Sequence, residues 1–86
     1  MKKAVKPEES VDVIIERKLK TMGNRLQQLR KAKGFNNYEK FAYENDIPRA
    51  QYGRYERGQD LKISSLIKVL EALDISLKDF FAEGFE

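Results

Sequence analysis

Residues 37–58 read NYEKFAYENDIPRAQYGRYERG, and the fold turns on this stretch. Asn37 is a helix N-cap type, and behind it Tyr38, Phe41, Ala42 and Asn45 share the buried face of a helix barely two turns long. Asp46-Ile47-Pro48 then breaks that helix. Pro48 suits the first residue of a further helix, because the N–H it lacks has no intrahelical partner there. This helix runs to Glu56 or Arg57 and stops at Gly58. Two short helices therefore meet at a tight corner. With about 100° per residue and Tyr52 as origin, Pro48, Gln51 and Tyr55 fall beside it, while Ala50, Gly53, Arg54 and Arg57 fall on the opposite face. Tyrosines turn inward and arginines outward.

Upstream, Val11, Ile15, Leu19, Met22, Leu26 and Leu29 recur at spacings of three and four residues, a helical stripe that Gly23 and Asn24 weaken without ending. A second reading takes Val11, Val13 and Ile15 as a short alternating strand, with a separate helix starting at Thr21. Lys31, Lys33 and Gly34 form a helix stop, basic side chains suiting the C-terminal dipole. Downstream of the polar Gln59, Asp60 and Lys62, the residues Ile63, Leu66, Ile67, Leu70 and Leu73 make an amphipathic fourth helix. Ser76 followed by Asp79 resembles a capping box and opens a last turn or two carrying Leu77, Phe80 and Phe81. Residues 1–9 hold three lysines, two glutamates and Pro7, show no apolar period, and read as a flexible arm.

The chain has 86 residues, enough for one core and no more. It contains no cysteine and no histidine, which removes disulfides, thiolate metal sites, the usual general base and the commonest metal ligand. An enzyme would have to work with Asp, Glu, Lys, Ser or Tyr alone, with no glycine-rich phosphate loop, so no catalytic residue, metal or cofactor is expected. No run approaches the roughly 20 apolar residues of a membrane span, and no export signal is legible in the lysine-led N-terminus. A cytoplasmic, nucleoid-associated protein with no membrane contact and no evident small-molecule ligand is the expectation. Charge is unevenly placed: residues 1–33 carry ten Lys/Arg against four Asp/Glu, for +6, while residues 34–86 carry seven against ten, for −3. Such asymmetry points to an acidic partner for the first third, although a lysine-rich solvated tail produces the same arithmetic.

The corner of two short helices matches the helix-turn-helix, whose second helix enters a DNA major groove. Arg54 and Arg57 on its outer face suit that task, because a guanidinium fork matches the two major-groove acceptors of guanine and also neutralises phosphate. From Gly23 to Phe81 the chain resembles the lambda-repressor and Cro-like (XRE) helix-turn-helix domain, in the order GNRLQQLRKAKG, FAYENDI, RYERG and LIKVLEALDISLKDFF. The resemblance implies an all-α, five-helix lambda-repressor-like bundle, here preceded by a helical or short-strand extension. It divides the chain into residues 1–20, a flexible basic arm and apolar extension, and residues 21–86, the helix-turn-helix domain.

By the same resemblance, a recognition helix at residues 48–57 reads double-stranded DNA, with Arg49, Ala50 and Arg54 contacting bases. Pro48, Gln51, Asn37, Tyr38, Arg57 and Lys62 would lie along the backbone, Tyr38 being equally suited to core packing. Glu56 falls at the inner edge of that helix and needs a partner; the family pairs it with an arginine late in helix one, here Arg30, as a structural ion pair. Asp46 stands where the family usually has a turn glycine, a place Asp tolerates. Gly53 would admit a close phosphate or base. The hydroxyls of Tyr52 and Tyr55 need partners or must reach the domain edge. The function implied is a dimeric transcriptional regulator on a palindromic operator; the alternative is an antitoxin-like or adaptor module that uses the same fold to bind protein. Either the Val11–Leu19 stripe or Phe80, Phe81 and Phe85 would supply the contact between two copies.

Overall fold

The computed structural model of the protein describes residues 9–85. Of the flexible arm expected at residues 1–9, residues 1–8 lie outside them, while Glu9 is described and is held by Arg17 at 2.7 Å. The described residues form five helices and no strand: α1 Val11–Ala32, α2 Tyr38–Glu44, α3 Arg49–Glu56, α4 Ile63–Leu73 and α5 Leu77–Phe80.

The first of these resolves the two readings of residues 11–15 in favour of helix. Ser10 caps it, its Oγ accepting from the Val13 amide at 3.2 Å, and Asp12 sits in the first turn where the dipole favours an anion. Once capped, the Val11–Ile15 segment is continuous with the stripe that follows, and the β-branched trio joins the helix despite its strand preference. Residue 20, the end of the expected N-terminal segment, therefore falls inside α1. The helix ends with the Phe35 amide donating to the Arg30 carbonyl at 3.1 Å and Gly34 at a φ of 105°, a Schellman closure.

Asn37 starts α2 by accepting the Glu39 and Lys40 amides on its Oδ1, at 2.7 and 3.2 Å. At the corner Asp46 takes a left-handed φ of 57°. The Ile47 amide returns to the Ala42 carbonyl at 2.9 Å, and Ile47 is buried. Pro48 is the N-cap of α3 and Arg57 its C-cap, so the recognition helix is one residue shorter at each end than the expected 48–57.

The core joins Leu26 of α1, Phe41 and Ala42 of α2, Tyr52 and Tyr55 of α3, Leu66, Val69, Leu70 and Leu73 of α4 and Phe80 of α5. The buried face of α4 differs from the one expected. Val69 is buried, whereas Ile63 is 66% and Ile67 41% exposed. Leu66, Val69, Leu70 and Leu73 follow the i, i+3, i+4, i+7 arc; Ile67 lies to one flank of it, and Ile63 begins the helix beyond the edge of the core.

Gly23, read from the sequence as a weak point of α1, has a packing reason. An added Cβ would lie 2.5 Å from the Glu56 carbonyl oxygen and 2.8 Å from that of Tyr55, so α1 and the end of α3 meet backbone to backbone at this residue. Gly23→Ala is expected to cost about 1–3 kcal/mol by overpacking, more than the roughly 1 kcal/mol that alanine gains in helix propensity. A thermal melt checks this, and an unchanged Tm would mean that the two helices do not cross so closely.

Candidate nucleic-acid interface

On α3 the buried arc holds Tyr52, Gly53 and Tyr55, while Arg49, Ala50, Gln51 and Arg54 on the helix and Arg57 at its C-cap are exposed. Pro48, at the N-cap, is exposed too. None of the three arginines forms an ion pair among the described residues. The outer surface of α3 therefore offers three free guanidinium groups around a small alanine and a glutamine amide, with no acid in the first turn. This chemistry reads donor and acceptor patterns in a groove and neutralises phosphate beside it.

Glu56 is the one carboxylate on α3, and it is turned inward. Its side chain is 7% exposed and that of Arg30 4%. Arg30 Nε donates to Glu56 Oε2 at 2.8 Å and Nη2 to Oε1 at 2.9 Å, a two-pronged pair of the strong kind. Its hydrogen bonds to the Glu56 carboxylate hold the Arg30 guanidinium above its ordinary range, against the opposing effect of burial. The third arm, Nη1, donates to the Phe35 carbonyl at 2.8 Å in the loop after α1. The pair thus fixes the rotation of α3 and withdraws its negative charge from the outer face.

Two glycine and tyrosine assignments change with the structure. Gly53 lies outward on a wheel drawn from Tyr52, but α2 crosses on that side and buries it. A Cβ there would lie 2.7 Å from a ring carbon of Tyr38. The missing side chain admits the Tyr38 ring and not, as expected, a phosphate or base. Tyr38 accordingly packs against the core and faces the Tyr52 ring with centroids 6.4 Å apart. Tyr52 is fully enclosed, and its hydroxyl has no hydrogen-bond partner among the described residues. Burial first, and then the nearby Glu56 carboxylate, push this phenol far above the usual tyrosine range.

The remaining expected backbone contacts sit at helix starts. Asn37, exposed, begins α2 with its Oδ1 engaged in capping. Lys62, exposed, is the N-cap residue of α4. Sequence reasoning missed Lys68, whose Nζ donates to the Asp46 carbonyl at 2.9 Å and ties α4 to the left-handed corner. It also missed Arg25, whose Nε and Nη2 donate to the Phe80 and Asp79 carbonyls at 3.1 and 3.0 Å, holding the end of α5 on α1. Neither contact has a periodic signature; a charged residue beside the buried stripe of a helix is the only hint.

The sequence pattern of the helix-turn-helix family matches residues 26–80, from the middle of α1 to the end of α5. Among solved structures, the restriction-modification controller protein C.AhdI from Aeromonas hydrophila is similar with a TM-score of 0.68 and 33% identity, over 76% of this chain and 98% of that one. No match is found among curated protein sequences.

Two substitutions test the inner side of α3. Arg30→Met should cost about 3–5 kcal/mol by leaving Glu56 buried and unpaired, and adding Glu56→Leu should recover most of the loss. Tyr52→Phe should raise stability by about 1 kcal/mol or more by removing an unpaired buried hydroxyl. Urea denaturation reads both; a destabilised Tyr52→Phe would mean that the hydroxyl is bonded in solution.

Proposed function

Because the chain belongs to the helix-turn-helix family and is a DNA-binding transcriptional regulator of that type, we propose that it reads a specific operator as a homodimer, with α3 in the major groove. The observation that carries this reading is the outer face of α3: Ala50, Arg54 and Arg57 exposed on one side, Arg49 at the helix start, and the only acid of the helix bound inward by Arg30. Arg49 and Arg54 are the base readers, each suited to a guanine, and Ala50 leaves room for a thymine methyl group. Asn37, Tyr38, Pro48, Gln51, Arg57 and Lys62 set the register on phosphates. Tyr38 brings its hydroxyl edge beside Gly53, where an added Cβ would lie 3.1 Å from the hydroxyl oxygen.

Two-fold symmetry follows from affinity. A single recognition helix of eight residues makes few contacts, whereas two copies on an inverted repeat, with half-sites about 34 Å apart, add their contacts on one duplex. The kinship with a restriction-modification controller protein supports a role in setting transcription.

Selection of bound duplexes from a random-sequence pool at physiological salt should enrich an inverted repeat with guanines in each half. No enrichment, together with binding to a protein partner that is insensitive to salt, would instead favour the adaptor reading, because contacts to several phosphates weaken steeply with salt. On the enriched site, Arg54→Ala should cost about 1–3 kcal/mol and relax preference at one base pair, while Lys62→Ala should weaken all sequences alike. Identical behaviour of the two variants on specific and random duplex would overturn the base-reader assignment.

A further inference from the structure

The first turns of α1 stand clear of the body of the domain, whose C-terminal Gly84 and Phe85 reach the helix at Arg17 and Lys18. The helix meets the end of α3 at Gly23, and a Cβ on Gly58 would lie 3.1 Å from the Lys20 Cα, so the residues before Lys20 extend past that corner. The 22 residues of α1 span about 33 Å, and the molecule is 44 Å long but only 24 by 22 Å across. The overhang is apolar on the side that continues the core. Val11 and Ile15 prolong the stripe of Leu19, Met22 and Leu26, yet they are 67% and 49% exposed. The family pattern begins only at residue 26, so the overhang lies outside the part of the chain that it matches.

Its charges are sorted along the helix axis. Asp12 and Glu16 come first, Lys18 and Lys20 second, and none of these four forms an ion pair among the described residues. Glu9 and Arg17, by contrast, are already joined at 2.7 Å. A helix that runs from acid to base beside an apolar stripe is complementary to its own reversed copy.

We propose that two copies of this chain pair through the α1 overhang as an antiparallel helix pair, with the two-fold axis at Ile15. In that register Val11 meets the partner's Leu19, and Asp12 meets the partner's Lys18. A polar hollow of about 110 Å³, lined by Arg17, Lys18, Thr21, Gly84 and Phe85, opens beside Lys18 and receives the incoming carboxylate. The inference rests on the DNA-reading dimer proposed above and names its contact. The spacing is compatible: Gly23 lies eight residues from Ile15, about 12 Å along the axis. The two crossings of α1 over the end of α3 are then about 24 Å apart along the shared axis, the same order as the ~34 Å between half-sites.

Other apolar surfaces fit a second copy less well. Phe80 is fully buried, with Phe81 and Phe85 packed on its ring at centroid distances of 4.9 and 5.8 Å; Phe81 and Leu77 keep 42% and 43% of their surface exposed, less than the 67% of Val11. Ile63 and Ile67 on α4 are flanked by Lys62 and Lys68, and antiparallel pairing there would set lysine against lysine.

The chain has no cysteine, so Ile15→Cys introduces a single thiol that the two-fold axis brings against its own copy within disulfide reach. Under mild oxidation the full-length Ile15→Cys protein is expected to run as a covalent dimer, and Ile67→Cys as a monomer. Cross-linking of Ile67→Cys in place of Ile15→Cys, or of neither, overturns the proposal. In sedimentation velocity the pair Asp12→Lys/Glu16→Lys should raise the dimer dissociation constant about 10-fold, and adding Lys18→Glu/Lys20→Glu should restore it. Unchanged association of the first variant, or no recovery in the second, counts equally against it. Both readouts are made without DNA, and binding of a single half-site duplex is measured separately on the same proteins. Loss of half-site binding with pairing intact would defeat the DNA-reading function and leave this contact standing; half-site binding by a protein that never pairs would do the reverse.

Discussion

The two-pronged bond between Arg30 and Glu56 is the constraint on which the rest of the structure depends. Three elements meet on one guanidinium: α1 supplies it, α3 accepts two of its arms through Glu56, and the loop between α1 and α2 accepts the third through the Phe35 carbonyl. Withdrawing both charges from water is costly, and the pair is tolerable only because its geometry is two-pronged and the extra arm is also bonded. Such a pair contributes little net stability but admits few alternative arrangements. A rotation of α3 about its axis would separate the charges inside the protein, so the side of α3 that faces solvent is set from within. The outer arginines inherit their direction from an interaction none of them makes.

Two absent side chains allow the helices to approach closely enough for this pair to form. At Gly23 the backbones of α1 and α3 touch, and at Gly53 the Tyr38 ring of α2 lies against α3. Between them the aromatic rings pack edge to face or tilted, with Phe35 and Phe41 at 5.3 Å and Phe41 and Tyr52 at 5.1 Å. Tyr52 fills its place as a large ring at the expense of an unpaired hydroxyl. The corner is held from the far side as well: the left-handed turn at Asp46 directs its carbonyl toward Lys68 of α4. A short α2 and α3 with few turns of their own thus behave as a rigid unit because α1 and α4 grip them from opposite sides.

Much of this was legible from the order of residues, because caps and breaks are local. Asn37 before a two-turn apolar period, Asp-Ile-Pro between two helices and Gly58 after the second depend on chemistry within four residues. The helix count and the corner follow from them. What was not legible depends on which neighbour crosses where. A helical wheel places Gly53 opposite Tyr52 without knowing that α2 lies over that quadrant. It likewise assigns Ile63 and Ile67 to the core of α4, although their exposure is set by how far α4 extends beyond its neighbours. At residues 11–15 two periods were present together, and the choice fell to Ser10, whose capping hydroxyl makes the helical start favourable. Of the candidate site, the outward arginines of α3 stood out by period alone, whereas the engagement of Asn37 in capping and of the Tyr38 ring in packing needed coordinates.

Charge shows the same division between count and placement. The excess of +6 in residues 1–33 suggested that the first third meets the acidic partner. Its arginines, however, all have partners within the chain: Arg17 with Glu9 at the surface, Arg25 with the end of α5, and Arg30 with Glu56. Those of α3 and its C-cap, Arg49, Arg54 and Arg57, lie in the net-acidic remainder and have no such partners among the described residues. A guanidinium that is already forked onto a carboxylate or two carbonyls has few donors left for a base edge or a phosphate. Which segment carries the larger formal charge therefore decides less than which cations keep their hydrogen bonds unmade, and among the described residues the free guanidinium groups centre on α3 and its C-cap.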